Sequence, residues 1–402
     1  MKVLLLTREY PPHTYGGAGV HIEYLSKELS KLTETEVRCF GNQFVNEKNL
    51  KVRGFNFDEK KFYNCEPLLK SPLQAFDICI NFNSEKIDAD IVHCHTWYSH
   101  FGGILAKILY GIPLVITTHS LEPLRPWKRE QLGRGFDLST WVEKTALEMA
   151  DAIIAVSKET KNDILKYFNV KEEKIHIIPN GIDTEEYKPV LSKEALKKYK
   201  INTEQPYVLF VGRITRQKGI IHLVNAIKYI NPDVQIVLCA GEPDTKEIAK
   251  EMEAAVANVR NIRDNIVWIE EMVPKPSLIE IYSNAAVFCC PSIYEPFGII
   301  NLEAMACEVP VVASAVGGIK EVVLDGETGF LVEFEQYQVA PFEPINPDAF
   351  SKKLAEKINY LMANEELRKQ MGKKGRDRAI QFYSWTAVAK KVLSLYQKLI
   401  NK

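Results

Sequence analysis

An alternation that runs the length of the chain limits its fold more than any other feature. Short Val- and Ile-rich runs with little polar interleaving are separated by longer stretches whose apolar residues recur at helical spacing. In the first half the runs are KVLLLT, EVRCF, DIVHCH, LVITTH, AIIAVS and KIHIIPN. In the second they are YVLFVGR, QIVLCAG, IVWIEE, AVFCCPS, PVVASA and GFLVE. A strand wet on one face alternates apolar and polar residues, so runs apolar throughout belong to parallel strands covered on both faces. Stretches such as HIEYLSKELSKL and SLIEIYSNA supply the covering helices. This pattern, present in each half, predicts an α/β chain of two doubly wound, Rossmann-like domains. The Asn180-Gly181 turn marks the junction. It sets an N-terminal domain at 1–182 and a C-terminal domain at 183–385, followed by a last helix, 386–402.

A length of 402 residues accommodates two such domains, and a formal net charge of −1 argues against a nucleic-acid partner. No apolar run reaches membrane-spanning length, and MKVLLLTREYPP lacks a signal-cleavage pattern, so no membrane partner is expected. The eight cysteines are scattered without a CxxC pair. Cys79, Cys239, Cys289 and Cys290 lie in apolar runs and read as buried thiols of a reducing cytoplasm. Oligomeric state is left open.

Open α/β sheets bind ligands beyond the carboxyl ends of their strands, so two in tandem predict a cleft between two carboxyl edges. The candidate residues follow strands. TREYPPHTYGGAGVH places Gly16, Gly17 and Gly19 before a helix, where backbone amides and the helix N-terminus favour a phosphate; a plain turn is the alternative. His93 and His95 share one face of a strand end. With no third ligand spaced nearby, they read as polar lining or core histidines and not as a metal pair. His119 ends another strand. Arg125, Lys128, Arg129 and Arg134 follow it, against Glu122 and Glu130, and suit an acceptor carrying an anionic group or simply a solvated basic loop.

In the second half, FVGRITRQKG sets Arg213 directly after a strand and Lys218 before a helix, an arrangement that can neutralise a diphosphate leaving group. Gly317 and Gly318 lie between a strand and a helix. YEPFGIINLEA carries Glu295 before a helix and Glu303 within it, two acceptors for the hydroxyls of a polyhydroxylated ligand. Cations and amides for phosphates, with carboxylates for hydroxyls, suit a nucleoside diphosphate-sugar.

These motifs resemble the retaining glycosyltransferases of family four, which have the two-domain GT-B fold, and the resemblance covers nearly the whole chain. It is closest to the short bacterial and actinobacterial-type glycogen synthases, through TREYPPHTYGGAGVH, HSLEPLRPWKREQLGRG, VGRITRQKG and YEPFGIINLEAMAC. The resemblance implies roles. Glu295 would hold the donor sugar's hydroxyls and Glu303 those of the ribose. Phe297, Gly298 and Ile299 would offer backbone N–H groups. Arg213 and Lys218 would bind the diphosphate, and Gly16 and Gly17 would lie at the distal phosphate. His119 would stand close to the donor sugar, and the C-terminal helix would cross back to the N-terminal domain. Longer bacterial glycogen synthases carry a lysine before the paired glycines, where this chain has Tyr15.

The expected activity is transfer of α-glucose from ADP-glucose, with UDP-glucose as the alternative donor, to the non-reducing end of an α-1,4-glucan. His119, Arg213, Lys218 and Glu295 are the expected catalytic group, with His95, Arg125, Lys128 and Arg129 toward the acceptor. No metal or other cofactor is expected. The rival acceptor is glucose-1-phosphate, which would make an α-maltose-1-phosphate synthase. A nucleotide-sugar epimerase and a non-catalytic glycan-binding protein are the readings from other classes.

Overall fold

The computed structural model describes residues 1–14 and 16–401. Two compact units emerge, one of Met1–Gly181 joined by the segment from Trp385 onward, the other Ile182–Ser384.

The first unit holds an eight-stranded sheet of β1 (Lys2–Thr7), β2 (Glu34–Phe40), β3 (Phe44–Asn46), β4 (Leu50–Phe55), β5 (Ile91–His95), β6 (Leu114–Thr118), β7 (Ala152–Ala155) and β8 (Ile175–Ile177). Their order is β3-β4-β2-β1-β5-β6-β7-β8. Every pairing is parallel except β3 on β4. Strands β5, β6 and β7 are buried at every position, as the apolar runs require. The sequence reading missed β3 and β4. In β4 buried and exposed residues alternate near the sheet edge, so it lacks the two-sided burial signature.

The second unit holds a six-stranded parallel sheet of β9 (Tyr207–Arg213), β10 (Gln235–Gly241), β11 (Ile266–Ile269), β12 (Val287–Cys290), β13 (Val311–Ser314) and β14 (Gly329–Val332). Their order is β11-β10-β9-β12-β13-β14. The chain reverses its direction of winding between β1 and β5 and between β9 and β12. At such switch points the flanking loops part and leave a crevice at the carboxyl ends of the strands.

The last helix, Trp385–Ile400, belongs to the first unit. Its Trp385, Val388, Ala389, Val392, Leu395 and Tyr396 join one core with Val3, Leu5, Ile22 and Leu25. Trp385 stacks on Tyr24 at 5.7 Å between ring centroids. Each large apolar side chain so removed from water contributes about 1.5–3 kcal/mol. Gly181 lies against Trp385, and a Cβ there would meet the indole at 2.5 Å. All eight cysteines are free, and only Cys65 is not buried. Among the described residues no helix is long and apolar enough to cross a membrane.

Candidate functional site

In the second unit, β9 ends at Arg213, whose Nη1 donates to Asp244 Oδ1 at 2.7 Å in the loop after β10. Lys218 sits before the helix Ile220–Ala226 and places Nζ 2.6 Å from Glu295 Oε2. Ser292 Oγ donates to the same oxygen at 3.3 Å. Burial pulls the Lys218 pKa down, but the Glu295 carboxylate more than offsets it and leaves the ammonium above its ordinary value. Lys218 is therefore a cation at neutral pH, with a carboxylate fixed against it.

Glu303 has different company. Tyr187 Oη donates to its Oε1 at 3.3 Å and Tyr282 Oη to its Oε2 at 2.9 Å. Burial raises its pKa, and the two tyrosine hydroxyls offset part of that rise. Between the two acids the helix Ile299–Ala306 begins at Gly298, which adopts the left-handed φ of 90° that favours glycine. The N–H groups of Phe297, Gly298 and Ile299 donate to no group among the described residues. They present the positive end of a helix to whatever lies before it.

Gly317 and Gly318 pack against this loop. Gly318 N–H donates to the Glu295 carbonyl at 3.0 Å. A Cβ on Gly317 would run into that same carbonyl oxygen, and one on Gly318 into that of Pro296. The glycine pair thus lets the β13 turn press against the backbone that carries Glu295. Asp244, Ser292, Tyr187 and Tyr282 were not singled out from the sequence.

In the first unit a histidine cluster fills the carboxyl ends of β1, β5 and β6. His93 spends both ring nitrogens, on Tyr396 Oη at 2.6 Å and Thr117 Oγ1 at 2.7 Å, so it is a satisfied core residue. His95 Nδ1 lies 3.1 Å from His119 Nε2. His21 Nδ1 lies 2.7 Å from Asn180 Oδ1, which orients the ring. His95, expected toward the acceptor, is wholly buried and meets His119. The third ligand that the sequence lacked is brought in by the fold: His21, His95 and His119 each offer a nitrogen within 4.8 Å of the others. Three imidazoles, one oriented by a carbonyl, form a donor set that suits a zinc-like ion. Burial holds every ring in the cluster neutral at pH 7, pushing His21 down to about 4, His100 to about 3, and His93, His95 and His119 well below their usual value.

The glycine loop after β1 leads into the helix Gly17–Ser30, and Gly16 N–H donates to Glu9 Oε2 at 2.8 Å. Tyr15 lies outside the described residues. A Cβ on Gly16 or Gly17 would meet nothing within 4 Å, so packing among the described residues does not call for glycine at either position. Gly17→Ala should therefore leave thermal stability unchanged or raise it by about 0.5–1 kcal/mol, since alanine is the better helix former. If backbone amides there approach a phosphate, donor turnover should fall about tenfold, about 1.4 kcal/mol of transition-state stabilisation. Steady-state kinetics and a melting curve on one preparation check both halves.

The basic loop differs from its sequence reading. Lys128 is buried and bonds Glu122 Oε1 at 3.0 Å, and Ser139 holds the other oxygen at 2.7 Å. Burial lowers the Lys128 pKa to about 8. Arg129 faces outward and pairs with Asp137 at 2.6 Å. Neither is free for an acceptor, because one neutralises a buried acid and the other a surface acid. Arg125 is half-buried, with Nη1 on Ser120 Oγ at 3.1 Å and Nε buried without a partner.

A partly open pocket of about 270 Å³ in the second unit lies apart from this chemistry. It is lined by Ile214, Arg216, Ile220, His222, Met252 and Glu343, and includes none of Arg213, Lys218, Glu295 and Glu303.

Comparison with known proteins bears on both units. Residues 15–186 match the family described as Glycosyltransferase Family 4, and residues 192–341 match Glycosyl transferases group 1. The α-maltose-1-phosphate synthase of Mycolicibacterium smegmatis is 44% identical over 407 residues, spanning 99% of this chain and 100% of that protein. That of Mycobacterium tuberculosis is 44% identical over 403 residues, with the same coverage. Among solved structures, a sucrose-phosphate synthase from Thermosynechococcus elongatus aligns over 100% of both chains with a TM-score of 0.81 at 24% identity, a likeness of fold.

Proposed function

The chain belongs to the GT-B glycosyltransferases of group 1 and family 4, and from that premise we propose that it transfers α-glucose from a nucleoside diphosphate-glucose to glucose-1-phosphate, making maltose-1-phosphate. The observation that carries this reading is the 44% identity, end to end, with α-maltose-1-phosphate synthases. The acceptor expected first, a glucan end, accordingly gives way to the sugar phosphate. ADP-glucose is the preferred donor by resemblance, with UDP-glucose as the alternative.

The second unit supplies the groups that such a transfer needs. Arg213, steadied by Asp244, and Lys218, kept charged by Glu295, are the clamp for the diphosphate. The amides at Phe297–Ile299 add a helix N-terminus. Charge grows on the diphosphate as the C1–O bond breaks, so these groups bind the transition state more tightly than the ground state. The acceptor hydroxyl oxygen forms the new bond to C1 on the face that the diphosphate leaves. Its proton passes to the departing diphosphate oxygen, and the α configuration is retained. Glu295 orients the donor sugar and Glu303 the ribose, the roles that the resemblance gives them. No metal-dependent step is invoked.

Product analysis tests this reading. The protein should be incubated with ADP-glucose or UDP-glucose, against glucose-1-phosphate and against glycogen. Maltose-1-phosphate carrying a new α linkage is the expected product, and its rate should be unchanged in chelator. Elongated glycogen with no maltose-1-phosphate would return the chain to glycogen synthase. Activity lost in chelator and restored by a divalent ion would overturn the metal-free clamp. An altered nucleotide-sugar without any acceptor would indicate an epimerase, and binding without turnover a non-catalytic protein.

A further inference from the structure

With Lys128 and Arg129 committed elsewhere, the acceptor's phosphate needs other cations, and two stand together in the first unit. Arg8 directly follows β1, Thr96 and Tyr98 follow β5, and Ser120 and Arg125 follow β6. These three strands are neighbours in the sheet, so their carboxyl ends open on one patch. The Arg8 guanidinium lies over the Tyr98 ring, 4.1 Å from its centroid, and makes no ion pair among the described residues. Arg125 reaches Ser120 and likewise has no carboxylate within pairing distance among the described residues. Glu122, the acid of that loop, has both oxygens taken by Lys128 and Ser139. Burial raises the Tyr98 pKa, and Arg8 and Arg125 pull it back against Glu122 and Glu9, so both guanidinium groups act on one hydroxyl in a field shared with two carboxylates.

Two polar groups of the patch are also without partners. Among the described residues, Arg125 Nε is buried with no hydrogen-bond acceptor, and Thr96 Oγ1 is buried with no partner. Thr96 holds φ of 65°, a left-handed conformation that a β-branched residue adopts at a cost of about 1–3 kcal/mol. Two guanidinium groups that form no ion pair among the described residues, a buried N–H and a buried hydroxyl at one sheet edge fit a phosphate. Its oxygens accept from planar arginine forks and from hydroxyl groups alike.

We propose that Arg8 and Arg125, with Thr96 and Tyr98 between them, form the subsite that binds the phosphate of the sugar-phosphate acceptor. This rests on the acceptor reading given above. The acceptor would be held by its phosphate at the first unit's sheet edge, and a phosphate-free sugar would lose the two forks.

The test is the acceptor kinetics of Arg8→Gln and Arg125→Gln in the full chain, with glucose-1-phosphate as acceptor and inorganic phosphate as competitor. Each variant should raise KM for glucose-1-phosphate about tenfold or more, about 1.4 kcal/mol. KM for the donor should stay unchanged, which also reports a folded protein. Inorganic phosphate should compete with glucose-1-phosphate in the unmodified protein and lose that effect in the variants. Arg129→Ala, on the surface pair with Asp137, should change neither. Arg8→Lys keeps a charge without the fork and should give an intermediate KM; it is read if the glutamine form does not fold. Unmodified protein that transfers to glucose-1-phosphate, with variants within twofold of its KM, would overturn the subsite alone. Unmodified protein with no transfer to glucose-1-phosphate would overturn the acceptor reading and the subsite with it.

Discussion

Replacing Glu295 by Gln will lower turnover about a hundredfold or more, a loss of about 2.7 kcal/mol at the transition state, while leaving the second unit folded. The substitution keeps the shape of the side chain, and its amide oxygen can still accept from Ser292 and Lys218. The charge is lost. Glu295 is 6% exposed, so its field on the partly buried Lys218 is little screened, and that field is the largest of the influences that raise the Lys218 pKa against burial. A neutral glutamine leaves the burial of Lys218 uncompensated and removes the acceptor expected to hold the donor sugar. Both effects weaken the groups proposed to face the leaving diphosphate. Because the two side chains touch at 2.6 Å, Glu295→Gln and Lys218→Ala should be non-additive, the double variant costing less than the sum of the singles. The measurement is kcat and donor KM for both singles and the double, with circular dichroism on each. A folded Glu295→Gln with near-normal kcat would remove Glu295 from the site.

The residues at strand ends were legible for a topological reason. In a parallel sheet every strand delivers the chain to the same edge, so Arg213 after β9 and His119 after β6 need only a strand assignment to be placed. Their partners were not legible, because pairing across the fold leaves no local trace. Tyr187 and Glu303 are 116 positions apart, and His93 and Tyr396 are 303 apart. The basic loop misled for a related reason. A run of cations looks the same whether it faces water or a buried acid, and only the fold shows Glu122 and Ser139 closing around Lys128. Arg8 was passed over because a single cation among TREYPP carries no pattern of its own. Its meaning comes from Tyr98, which the parallel pairing of β1 with β5 brings beneath it.

Acidification should destabilise the first unit before most of its carboxylates titrate; Asp163, which burial raises to about 6, and Glu143, which burial raises well above the usual range, are the exceptions. An unfolded histidine has a pKa of about 6.5. In the fold His21 is held at about 4 and His100 at about 3, with His93, His95 and His119 also well below the ordinary value, in each case first through burial. Above pH 6.5 both states are neutral and nothing is lost. Below it the unfolded chain binds protons that the folded chain refuses, so stability falls as pH falls. For His21 the loss grows as the pH drops from 6.5 toward 4, reaching about 3 kcal/mol at 1.36 kcal/mol per pH unit. The other four rings are displaced in the same direction, so each adds to the loss, against a whole-domain stability of about 5–15 kcal/mol. The urea midpoint should therefore drop steeply between pH 6.5 and 5, above the range where most carboxylates protonate. His100 isolates the cause, since both of its ring nitrogens lack hydrogen-bond partners among the described residues and no role in transfer is assigned to it. His100→Leu should hold its stability at pH 7.5 and flatten the slope by about one proton's worth, about 1.36 kcal/mol per pH unit. A midpoint that stays constant from pH 7.5 to 5 in chelator would refute the neutral cluster. A midpoint constant in buffer but falling in chelator would instead assign His21, His95 and His119 to a bound metal ion that resists the proton.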